Sequence, residues 1–353
     1  MKNKILIIGA LPPPIGGMET FVKILSELKF ENFEIKIMNV AKNKIIKLNI
    51  FFNVANFIYR CFKLIFLIIF LNPSIVHINL TSNKDFLQKK YFFYIAKFFK
   101  KKVIVHNHGG NFIDFYQNSK NKKEIEYIFK KADKVLVLTD SWKKKYLDLF
   151  NLNNIDFIYN PLDKNLYRYI QKKKVKKNFI VLYVGRLEKE KGVYDLLQAI
   201  TLDNSKDTKY VFVGPFEDKN KFFSEVERLK IKDKIEVVGE VIGEERFKYF
   251  ASADVLVLPS YAEGLPMVIL EAFAFGLPVI STKVGGIPDV VKKENGILIN
   301  PGDVKALAKS IKKIKASDLN KYRKINMKES EKYSVDKFKE KLEKIYEDLL
   351  KRK

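Results

Sequence analysis

Residues 263–272 read Glu-Gly-Leu-Pro-Met-Val-Ile-Leu-Glu-Ala, and they follow a short apolar run at Val255–Leu258. A short run of valine and leucine bounded by turn residues is typical of a buried strand. Pro266 suits the first turn of a helix, because its ring fixes φ at a helical value and no hydrogen bond is lost there. The stretch therefore predicts a strand, a loop and a helix, with an anion site at the backbone amides from Gly264 to Met267.

Two glutamates stand at the ends of this stretch, Glu263 in the loop and Glu271 more than one turn inside the helix. A rise of about 1.5 Å per residue predicts that their carboxylates lie roughly 8–12 Å apart. That distance is too long for two groups acting on one bond, but it suits carboxylates that hold two sugars on either side of a diphosphate. A capping Glu263 and a surface Glu271 are the alternative. The apolar neighbours of Glu271 disfavour a side chain that is only solvated.

Short apolar runs alternate with helix-like segments on both sides of this stretch, which indicates parallel sheets with helices on both faces and an α/β fold class. In the first half the predicted strands are Lys4–Ile8, Glu34–Asn39, Ile75–Leu80, Val103–Asn107, Lys134–Leu138 and Phe157–Tyr159. In the second half they are Phe179–Val184, Tyr210–Val213, Ile235–Val238, Val255–Leu258, Pro278–Ser281 and Gly296–Asn300. The predicted helices include Met18–Leu28, Asn49–Leu71, Asp85–Lys101 and Val335–Leu350.

The chain has 353 residues, which suits two domains of ordinary size. The charged stretch from Asn160 to Lys177, with a proline near its start, is typical of a linker. We therefore predict two similar α/β domains, residues 1–165 and 166–334, followed by a charged C-terminal helix at residues 335–353. Ligands of such sheets bind at the carboxyl ends of the strands, here facing the cleft between the domains.

The composition disfavours several classes of protein. Hydrophobic residues make up 47% of the chain, so a large core can form and global disorder is disfavoured. The single cysteine, Cys61, allows no internal disulfide, and no Cys/His spacing is typical of a zinc site, which fits a reducing compartment. No secretory signal is predicted at the start. The most membrane-like run, Leu64–Leu71, has eight residues where a spanning helix needs about 20, so no transmembrane segment is predicted.

The net charge of +25 is unevenly distributed. From Ile35 to Ile113 thirteen basic residues stand against one acidic residue, Asp85, which predicts a domain with a positive face. Residues Lys84 to Lys102 combine seven lysines with seven aromatic residues, and a helix of this composition can lie on an anionic bilayer. The predicted lipid contacts are Lys89, Lys90, Lys97 and Lys100. An ordinary helix that packs its aromatic residues inward explains the pattern equally well.

Two glycine loops are candidates for binding phosphate. Gly185-Arg186-Leu187-Glu188-Lys189-Glu190-Lys191-Gly192 follows the first strand of the second domain. Arg186 and Lys191 can hold a diphosphate there without a metal, with a solvated charged turn as the alternative. Gly16 and Gly17 lie between the first strand and the first helix, where backbone can approach an anion closely, and a plain tight turn is the alternative.

Histidine and a third glycine loop add weaker candidates. Of the three histidines, His77 lies inside a strand, whereas His106 and His108 lie at the end of another. His108 comes directly before two glycines and is the best placed for catalysis, with a structural hydrogen-bonding histidine as the alternative. The loop at residues 284–289, Val-Gly-Gly-Ile-Pro-Asp, indicates a ligand-facing loop only weakly.

Together these stretches resemble family 4 of the glycosyltransferases, which have the two-domain GT-B fold. The resemblance covers nearly the whole chain and rests on the Glu263…Glu271 pair with Gly-Leu-Pro inside it, supported by Gly16-Gly17, Asn160-Pro161, Gly185-Arg186, Lys191-Gly192 and Gly285-Gly286. Pro161-Leu162-Asp163, in place of the commoner Gly-Val, and the triple proline before Gly16 depart from the family pattern. The resemblance implies two Rossmann-like domains facing across a cleft, with the C-terminal helix crossing back to the first domain.

The resemblance also implies a role for each candidate residue. Arg186 and Lys191 would bind the donor diphosphate, Glu263 the hydroxyls of the transferred sugar, and Glu271 the nucleotide ribose. His108 would lie near the reacting sugar. The implied catalytic residues are His108, Arg186, Lys191 and Glu263, and the implied donor-binding residues are Gly16, Gly17, Gly185, Arg186, Lys191, Gly264, Leu265, Pro266 and Glu271. The donor substrate is a nucleotide-diphosphate sugar, no further cofactor is expected, and no metal is expected because the sequence has no Asp-x-Asp motif.

The implied enzyme is a metal-independent hexosyl- or glycosyltransferase that retains the anomeric configuration. Its expected acceptor is a glycan or a lipid-linked molecule in cell-surface polysaccharide or glycolipid biosynthesis, at the cytoplasmic face of an anionic membrane. The resemblance implies front-face transfer, and the sequence offers no convincing carboxylate for a double displacement. A GT-B-like sugar-nucleotide epimerase is the nearer alternative. A basic nucleic-acid-binding protein is the other, but it shows no recognised reading motif and leaves the two carboxylates unexplained.

Overall fold

The computed structural model describes residues 2–13, 16–41, 50–170 and 178–351 of the chain. The chain divides into two compact units. Unit 1 comprises residues 1–161 and 336–353, and unit 2 comprises residues 162–335. Three predicted features lie outside the described residues: Pro14-Ile15 of the first glycine loop, the predicted helix start at Asn49, and residues 171–177 of the predicted linker.

Unit 1 is built on one parallel sheet with the strand order β2-β1-β3-β4-β5-β6. Its first elements, in chain order, are β1 (Asn3–Gly9), α1 (Gly17–Glu27), β2 (Phe33–Asn39), α2 (Ile50–Leu71), β3 (Ile75–Leu80), α3 (Lys84–Phe98), β4 (Lys102–Asn107), α4 (Phe112–Gln117), α5 (Lys122–Lys131), β5 (Lys134–Val137), α6 (Asp140–Phe150) and β6 (Ile155–Phe157). All six residues of β3 are buried. Such continuous burial is expected of a parallel strand, since helices cover both faces of its sheet.

Unit 2 is built on a second parallel sheet, with the order β12-β11-β10-β7-β8-β9. A short 3₁₀ helix at Lys164–Tyr169 comes first. The elements that follow are β7 (Phe179–Val184), α7 (Val193–Thr201), β8 (Thr208–Val213), α8 (Lys219–Arg228), β9 (Ile235–Gly239), α9 (Phe247–Ser252), β10 (Val255–Leu258), α10 (Met267–Ala274), β11 (Val279–Thr282), α11 (Ile287–Val290), β12 (Gly296–Ile299), α12 (Val304–Lys315) and α13 (Leu319–Ser330). The last helix of the chain is α14 (Val335–Lys351).

The two sheets confirm the predicted α/β fold class, and each predicted strand overlaps an observed one. Element ends differ in places. The predicted helix Asp85–Lys101 ends earlier, at Phe98, because Lys100 adopts a left-handed φ of 53° that the helix cannot continue. Pro266 was predicted in the first turn of its helix, but it is the N-cap of α10 with an extended ψ of 124°.

Helix α14 belongs to unit 1 from Asp336 onward, so the predicted return of the C-terminal helix to the first domain is confirmed. Its apolar face is buried, including Phe338, Leu342 and Tyr346. The Phe338 ring lies 5.6 Å from the ring of Phe21 on α1. The Tyr346 hydroxyl lies 2.8 Å from Nδ1 of His77 on β3. The helix therefore completes the core of unit 1, although it is far from that core in sequence.

Helix α3 packs only part of its aromatic residues inward: Phe86, Phe92 and Phe93 are buried in the core of unit 1, whereas Tyr91 and Phe98 are exposed. Three of the four lysines predicted to contact lipid pair with carboxylates of the same unit: Lys89 with Asp85 at 2.8 Å, Lys90 with Glu124 at 2.8 Å and Lys97 with Asp133 at 2.6 Å. Lys89 is itself buried, with 3% of its side chain exposed. Lys89, Lys90 and Lys97 are therefore already held by carboxylates of unit 1.

Helix α2 bears on the prediction that no segment spans a membrane. Within the described part of the chain, Phe51–Leu71 is long and apolar enough to cross a bilayer by length and composition, with a mean hydropathy of 2.0. The prediction counted only the uninterrupted run Leu64–Leu71, because Arg60 and Lys63 come before it. That count was too strict, since a helix of this length can contain two basic residues and still be apolar enough on average to cross a bilayer. Only 17% of its most apolar window is buried.

We predict that Leu342→Ala lowers the free energy of unfolding of unit 1 by about 2–5 kcal/mol, because it deletes a fully buried side chain of α14. Trp142 is the only tryptophan of the chain and lies in unit 1, so its fluorescence during urea unfolding reports on this unit. Lys344→Ala, at an exposed position of the same helix, is the control. Equal stability of the two variants would contradict the place of α14 in the core.

Candidate functional site

The order of the strands in unit 2 places a crevice at the carboxyl ends of β7 and β10. The first strand, β7, pairs with β8 on one side and with β10 on the other. The chain therefore leaves β7 toward one edge of the sheet and later returns to build the other. Ligands of open α/β sheets bind where the strand order reverses in this way. The loop after β7 and the loop after β10 carry most of the residues predicted to bind the donor.

The loop after β7 begins at Gly185 and ends with a 3₁₀ turn at Lys189–Lys191, directly before α7. Gly192 closes it with a left-handed φ of 69°. A Cβ atom at this position would lie 2.0 Å from the carbonyl oxygen of Pro259, which follows β10. Glycine is therefore required for two reasons, the backbone conformation and the close approach of the two loops.

The two loops also meet through an ion pair. Nζ of Lys191 lies 2.8 Å from Oε1 of Glu263, and the Ser260 hydroxyl donates to the same oxygen at 2.8 Å. Both members of the pair are mostly buried. The structure thus brings together two residues that the sequence assigned to separate parts of a donor, the diphosphate and the sugar.

Arg186, at the start of the β7 loop, is the more accessible cation of the site, with 56% of its side chain exposed. Its Nη2 lies 3.0 Å from Oε1 of Glu188, which is mostly buried. Burial raises the pKa of the Glu188 carboxyl, and the nearby cations of Arg186 and Lys191 oppose that rise. Glu188 lies within the glycine loop at residues 185–192, but its role was not predicted from the sequence.

The second glutamate of the predicted pair, Glu271, is buried inside α10, with 1% of its side chain exposed. The alternative of a surface Glu271 is therefore wrong. Its Oε1 accepts a hydrogen bond of 2.6 Å from Nη2 of Arg246. Burial acts to lower the pKa of Arg246, and the ion pair with Glu271 outweighs this effect and raises it. Oε2 of Glu271 has no hydrogen-bond partner among the described residues, so one acceptor oxygen is left for a ligand.

Sequence reasoning missed Arg246. It ends a 3₁₀ turn at Gly243–Arg246, well before the glutamate that it holds. The one available signal was its residue type, because arginine occurs seven times in a chain with 66 lysines and arginines together. An arginine retained in such a chain favours a position that needs a planar, permanently charged group.

The third glycine loop, residues 284–289, packs against the loop that contains Glu263. The amide of Gly286 donates to the carbonyl of Gly264 at 2.8 Å. Gly285 has a φ of 55°, and a Cβ atom there would lie 1.6 Å from the carbonyl oxygen of Glu263. The role of Gly285-Gly286 is therefore to let the two loops pack together. Leu265 and Pro266 lie between Gly264 and the first residue of α10.

In unit 1, Gly16 and Gly17 lie at the start of α1. Gly16 is the extended N-cap of the helix, and its carbonyl accepts from the amide of Thr20. A Cβ atom at Gly16 would lie 2.4 Å from Oε2 of Glu19, whereas a Cβ atom at Gly17 would meet no described atom within 4 Å. Space at Gly17 is thus open at the carboxyl end of the unit 1 sheet.

The three histidines form one cluster in unit 1. Nε2 of His77 lies 3.2 Å from Nδ1 of His106, and the His106 ring lies 4.1 Å from that of His108. Nε2 of His108 contacts Oδ1 of Asn79 at 3.0 Å. Burial lowers the pKa of both His77 and His108 to about 3, and that of His106 is also well below its usual range. Neighbouring positive charges, including Lys89, add to this effect at His108.

The pKa values of the cluster imply neutral imidazoles at neutral pH. His108 can therefore donate one hydrogen bond and accept another, but it does not supply a positive charge. Nε2 of His106 has no hydrogen-bond partner among the described residues. Within the same part of the chain, no group of three His, Cys, Asp or Glu side chains is placed to hold a metal ion.

Comparison with known proteins places these features in a family. The family model for glycosyl transferases group 1 matches residues 167–333. The uncharacterized glycosyltransferase MJ1069 of Methanocaldococcus jannaschii is 30% identical to the chain over 92% of both proteins. The capsular polysaccharide biosynthesis glycosyltransferase CapM of Staphylococcus aureus is 33% identical over 46% of this chain and 43% of its own. For three of the curated relatives, the match spans between 24% and 43% of their length.

The fold is also found among solved structures. HepE of Anabaena, solved in complex with UDP, superposes with a TM-score of 0.77 over 99% of this chain and 100% of its own, at 16% sequence identity. At this level of identity the similarity concerns the fold, and it confirms the GT-B architecture predicted from the sequence.

We predict that the stability of unit 1 falls as the pH drops below about 6.5, the ordinary pKa of histidine. Below that pH the unfolded chain binds protons that the buried cluster excludes until about pH 3. Each such histidine lowers the free energy of unfolding by up to about 1.4 kcal/mol per pH unit. His77→Gln should therefore reduce the dependence on pH between 7.5 and 5.5, as measured by urea unfolding with Trp142 fluorescence. The same slope in variant and parent would contradict a neutral His77.

Proposed function

The chain belongs to the group 1 glycosyl transferases, and from this premise we propose that it moves a sugar from a nucleotide-diphosphate sugar to a glycan or lipid-linked acceptor. One observation carries the proposal. At the switch point of unit 2, the loop after β7 carries Arg186 and Lys191, Lys191 pairs with Glu263 of the loop after β10, and the buried Glu271 keeps one oxygen without a described partner. Two cations and two carboxylates are the groups that a diphosphate flanked by two sugars requires.

In this proposal the diphosphate binds at the loop after β7. Arg186 is exposed and can turn from Glu188 to a phosphate, because a guanidinium binds phosphate oxygens through two parallel hydrogen bonds. Lys191 contributes a second, more buried charge. Glu188 then keeps Arg186 near the loop when no donor is bound. HepE has been solved with UDP, and a uridine diphosphate sugar is accordingly the first donor to test.

The two glutamates hold the sugars on either side. Glu263 accepts hydrogen bonds from hydroxyls of the transferred sugar, while its contact with Lys191 connects that sugar to the charge that binds the diphosphate. Oε2 of Glu271, buried and without a described partner in this structure, accepts a hydroxyl of the ribose when the donor binds. Arg246 holds the other oxygen and so fixes the orientation of the carboxylate.

The difficult step is departure of the diphosphate. The bond between the anomeric carbon and the phosphate oxygen breaks, and negative charge develops on the phosphate. Arg186 and Lys191 stabilise that charge directly, and fixed charges of this kind contribute most in a site that excludes water. We propose that the acceptor hydroxyl attacks from the same face, bonds to the anomeric carbon and gives its proton to the departing phosphate oxygen. The product then retains the anomeric configuration.

We further propose that the enzyme acts in cell-surface polysaccharide or glycolipid biosynthesis, as a peripheral protein on the cytoplasmic face of a membrane. The similarity to CapM, a glycosyltransferase of capsular polysaccharide biosynthesis, supports the first part. The basic surroundings of α2 and α3 in unit 1 support the second.

The direct test is product analysis with a panel of UDP, GDP and ADP sugars and short glycan acceptors. Transfer is seen as an acceptor enlarged by one sugar together with a released nucleoside diphosphate. Isomerised free donor without an enlarged acceptor would instead identify an epimerase.

We predict that Arg186→Ala lowers kcat/KM for transfer by about 10²-fold or more, on the order of 3 kcal/mol, because charge on the leaving group loses a partner. Arg228→Ala is the matched control, since Arg228 is an arginine of unit 2 with 61% of its side chain exposed and a carboxylate partner, Glu225. Normal turnover in a folded Arg186→Ala enzyme would refute the diphosphate assignment.

We also predict that saturating EDTA leaves the rate of transfer nearly unchanged, because Arg186 and Lys191 supply the positive charge that a metal would otherwise provide. The rate is compared before and after dialysis against EDTA, and again after Mg²⁺ or Mn²⁺ is restored. A rate that falls on chelation and recovers with metal would refute metal-independent transfer, but it would not change the assignment of the fold.

A further inference from the structure

Helix α2 exposes an apolar surface that the fold does not use. Of the eighteen large hydrophobic side chains exposed in the described residues, twelve lie on α2 and α3 of unit 1. Those on α2 are Phe51, Phe52, Val54, Ile58, Tyr59, Phe62, Phe66, Ile69 and Phe70, and those on α3 are Leu87, Tyr91 and Phe98. Soluble proteins rarely leave such a concentration of apolar surface in water, so this surface is expected to bind something. We call these twelve residues the α2–α3 face.

The face is one continuous surface and not a scatter of side chains. On α2, Phe51, Ile58 and Phe62 follow each other at helical spacing, and so do Leu87, Tyr91 and Phe98 on α3. The two helices join where the Tyr91 ring lies 5.3 Å from the ring of Phe57. The opposite side of α2 is buried through Leu64 and Ile68, which pack into the core.

The charges around this face select its partner. Lys63, Lys84 and Lys100 stand beside it and form no ion pair with the described residues. Asp85, the one acidic residue from Ile35 to Ile113, is already paired with Lys89. A twofold dimer through this face would bring the same unpaired lysines of two copies together. An anionic lipid surface presents the opposite charge and also an apolar interior.

Insertion in the plane of the membrane fits the topology, whereas spanning does not. Helix α2 connects β2 to β3, and both strands pair with β1 in one sheet. Its C-terminal end is fixed at that sheet, where the amide of Ser74 donates to the carbonyl of Lys4 at 2.8 Å. To cross a bilayer, α2 would have to leave the core that buries Leu64 and Ile68. At about 1.5 Å per residue, a helix of this length can instead lie along the surface for roughly 33 Å.

We propose that the α2–α3 face inserts into the interface of an anionic bilayer, with its aromatic and aliphatic side chains below the headgroups and the three lysines among them. This deepens the proposed peripheral location and changes its physical basis. The attraction comes chiefly from apolar surface on α2, and not from the paired lysines Lys89, Lys90 and Lys97 on α3. The test requires neither donor nor acceptor, so it can fail while the proposed reaction stands.

The experiment is sedimentation of the full chain with vesicles of phosphatidylcholine alone or mixed with phosphatidylglycerol. The parent should bind the mixed vesicles and keep part of that binding when salt rises from about 0.1 M to about 1 M, because apolar insertion is not screened. The triple variant Phe62→Gln, Phe66→Gln, Phe70→Gln should bind at least about tenfold more weakly. Glutamine favours helix, so α2 should stay folded, which circular dichroism checks.

Two controls test whether any loss of binding is specific to the α2–α3 face, and not a general result of removing apolar side chains or positive charge. Leu202→Gln, Phe223→Gln, Ile242→Gln removes three exposed apolar side chains of unit 2 and should bind vesicles like the parent. The double variant Lys63→Gln, Lys100→Gln should weaken binding at low salt more than the double variant Lys90→Gln, Lys97→Gln, whose lysines already have partners.

Insertion is detected directly with the Phe66→Trp variant. The fluorescence of its new tryptophan should be quenched by lipids brominated in the acyl chain, whereas the buried Trp142 of the parent should not be. Vesicle binding that is unchanged in the Phe62, Phe66 and Phe70 variant would overturn the proposal, and so would the absence of quenching in the Phe66→Trp variant. A parent that forms dimers, ignores vesicles and becomes monomeric in the triple variant would overturn it in favour of contact between two copies.

Discussion

The ion pair between Lys191 and Glu263 is the contact on which the candidate site depends. It joins the loop after β7 to the loop after β10, and those are the two strands at which the order of the sheet reverses. A buried pair of this kind is stable only when its geometry is held, because each charge has lost water. The geometry is held by backbone: Gly192 lies against Pro259, and Gly285 lies against Glu263, at distances that leave no room for a side chain. These glycines therefore contribute to the site by letting the loops pack closely.

A second charged contact, between Arg246 and Glu271 of α10, contributes to the candidate site. Arg246 fixes one oxygen of Glu271 and leaves the other facing a region where no described group satisfies it. Burying a carboxylate oxygen without a partner costs free energy, so Oε2 of Glu271 is a candidate acceptor for a ligand hydroxyl. The site thus holds an accessible cation, Arg186, beside groups that are already fixed. That combination suits an enzyme that must capture a charged donor and then hold its two sugars still.

Much of this could be predicted from the sequence, and the reasons are local. Runs of three to six residues, mostly apolar, marked the strands. Glu263, Pro266 and Glu271 were recognised because their spacing combines a loop, a helix start and a buried carboxylate. Contacts between distant residues could not be predicted, which is why Arg246 and the approach of Gly285 to Glu263 were missed. The aromatic residues of α3 were ambiguous for a different reason. Phe92 and Tyr91 are neighbours in sequence, yet one is buried and the other exposed, and only packing decides between them.

The claim that the carboxyl ends of β7 and β10 bind the donor is tested most directly by amide hydrogen exchange with and without saturating UDP. Binding at this site predicts slower exchange in residues 185–192 and 263–267, together with Arg246. It predicts little change at β12, at the far edge of the same sheet. If UDP binds and the protection falls elsewhere, with residues 185–192 and 263–267 exchanging as before, the site described here is not the donor site.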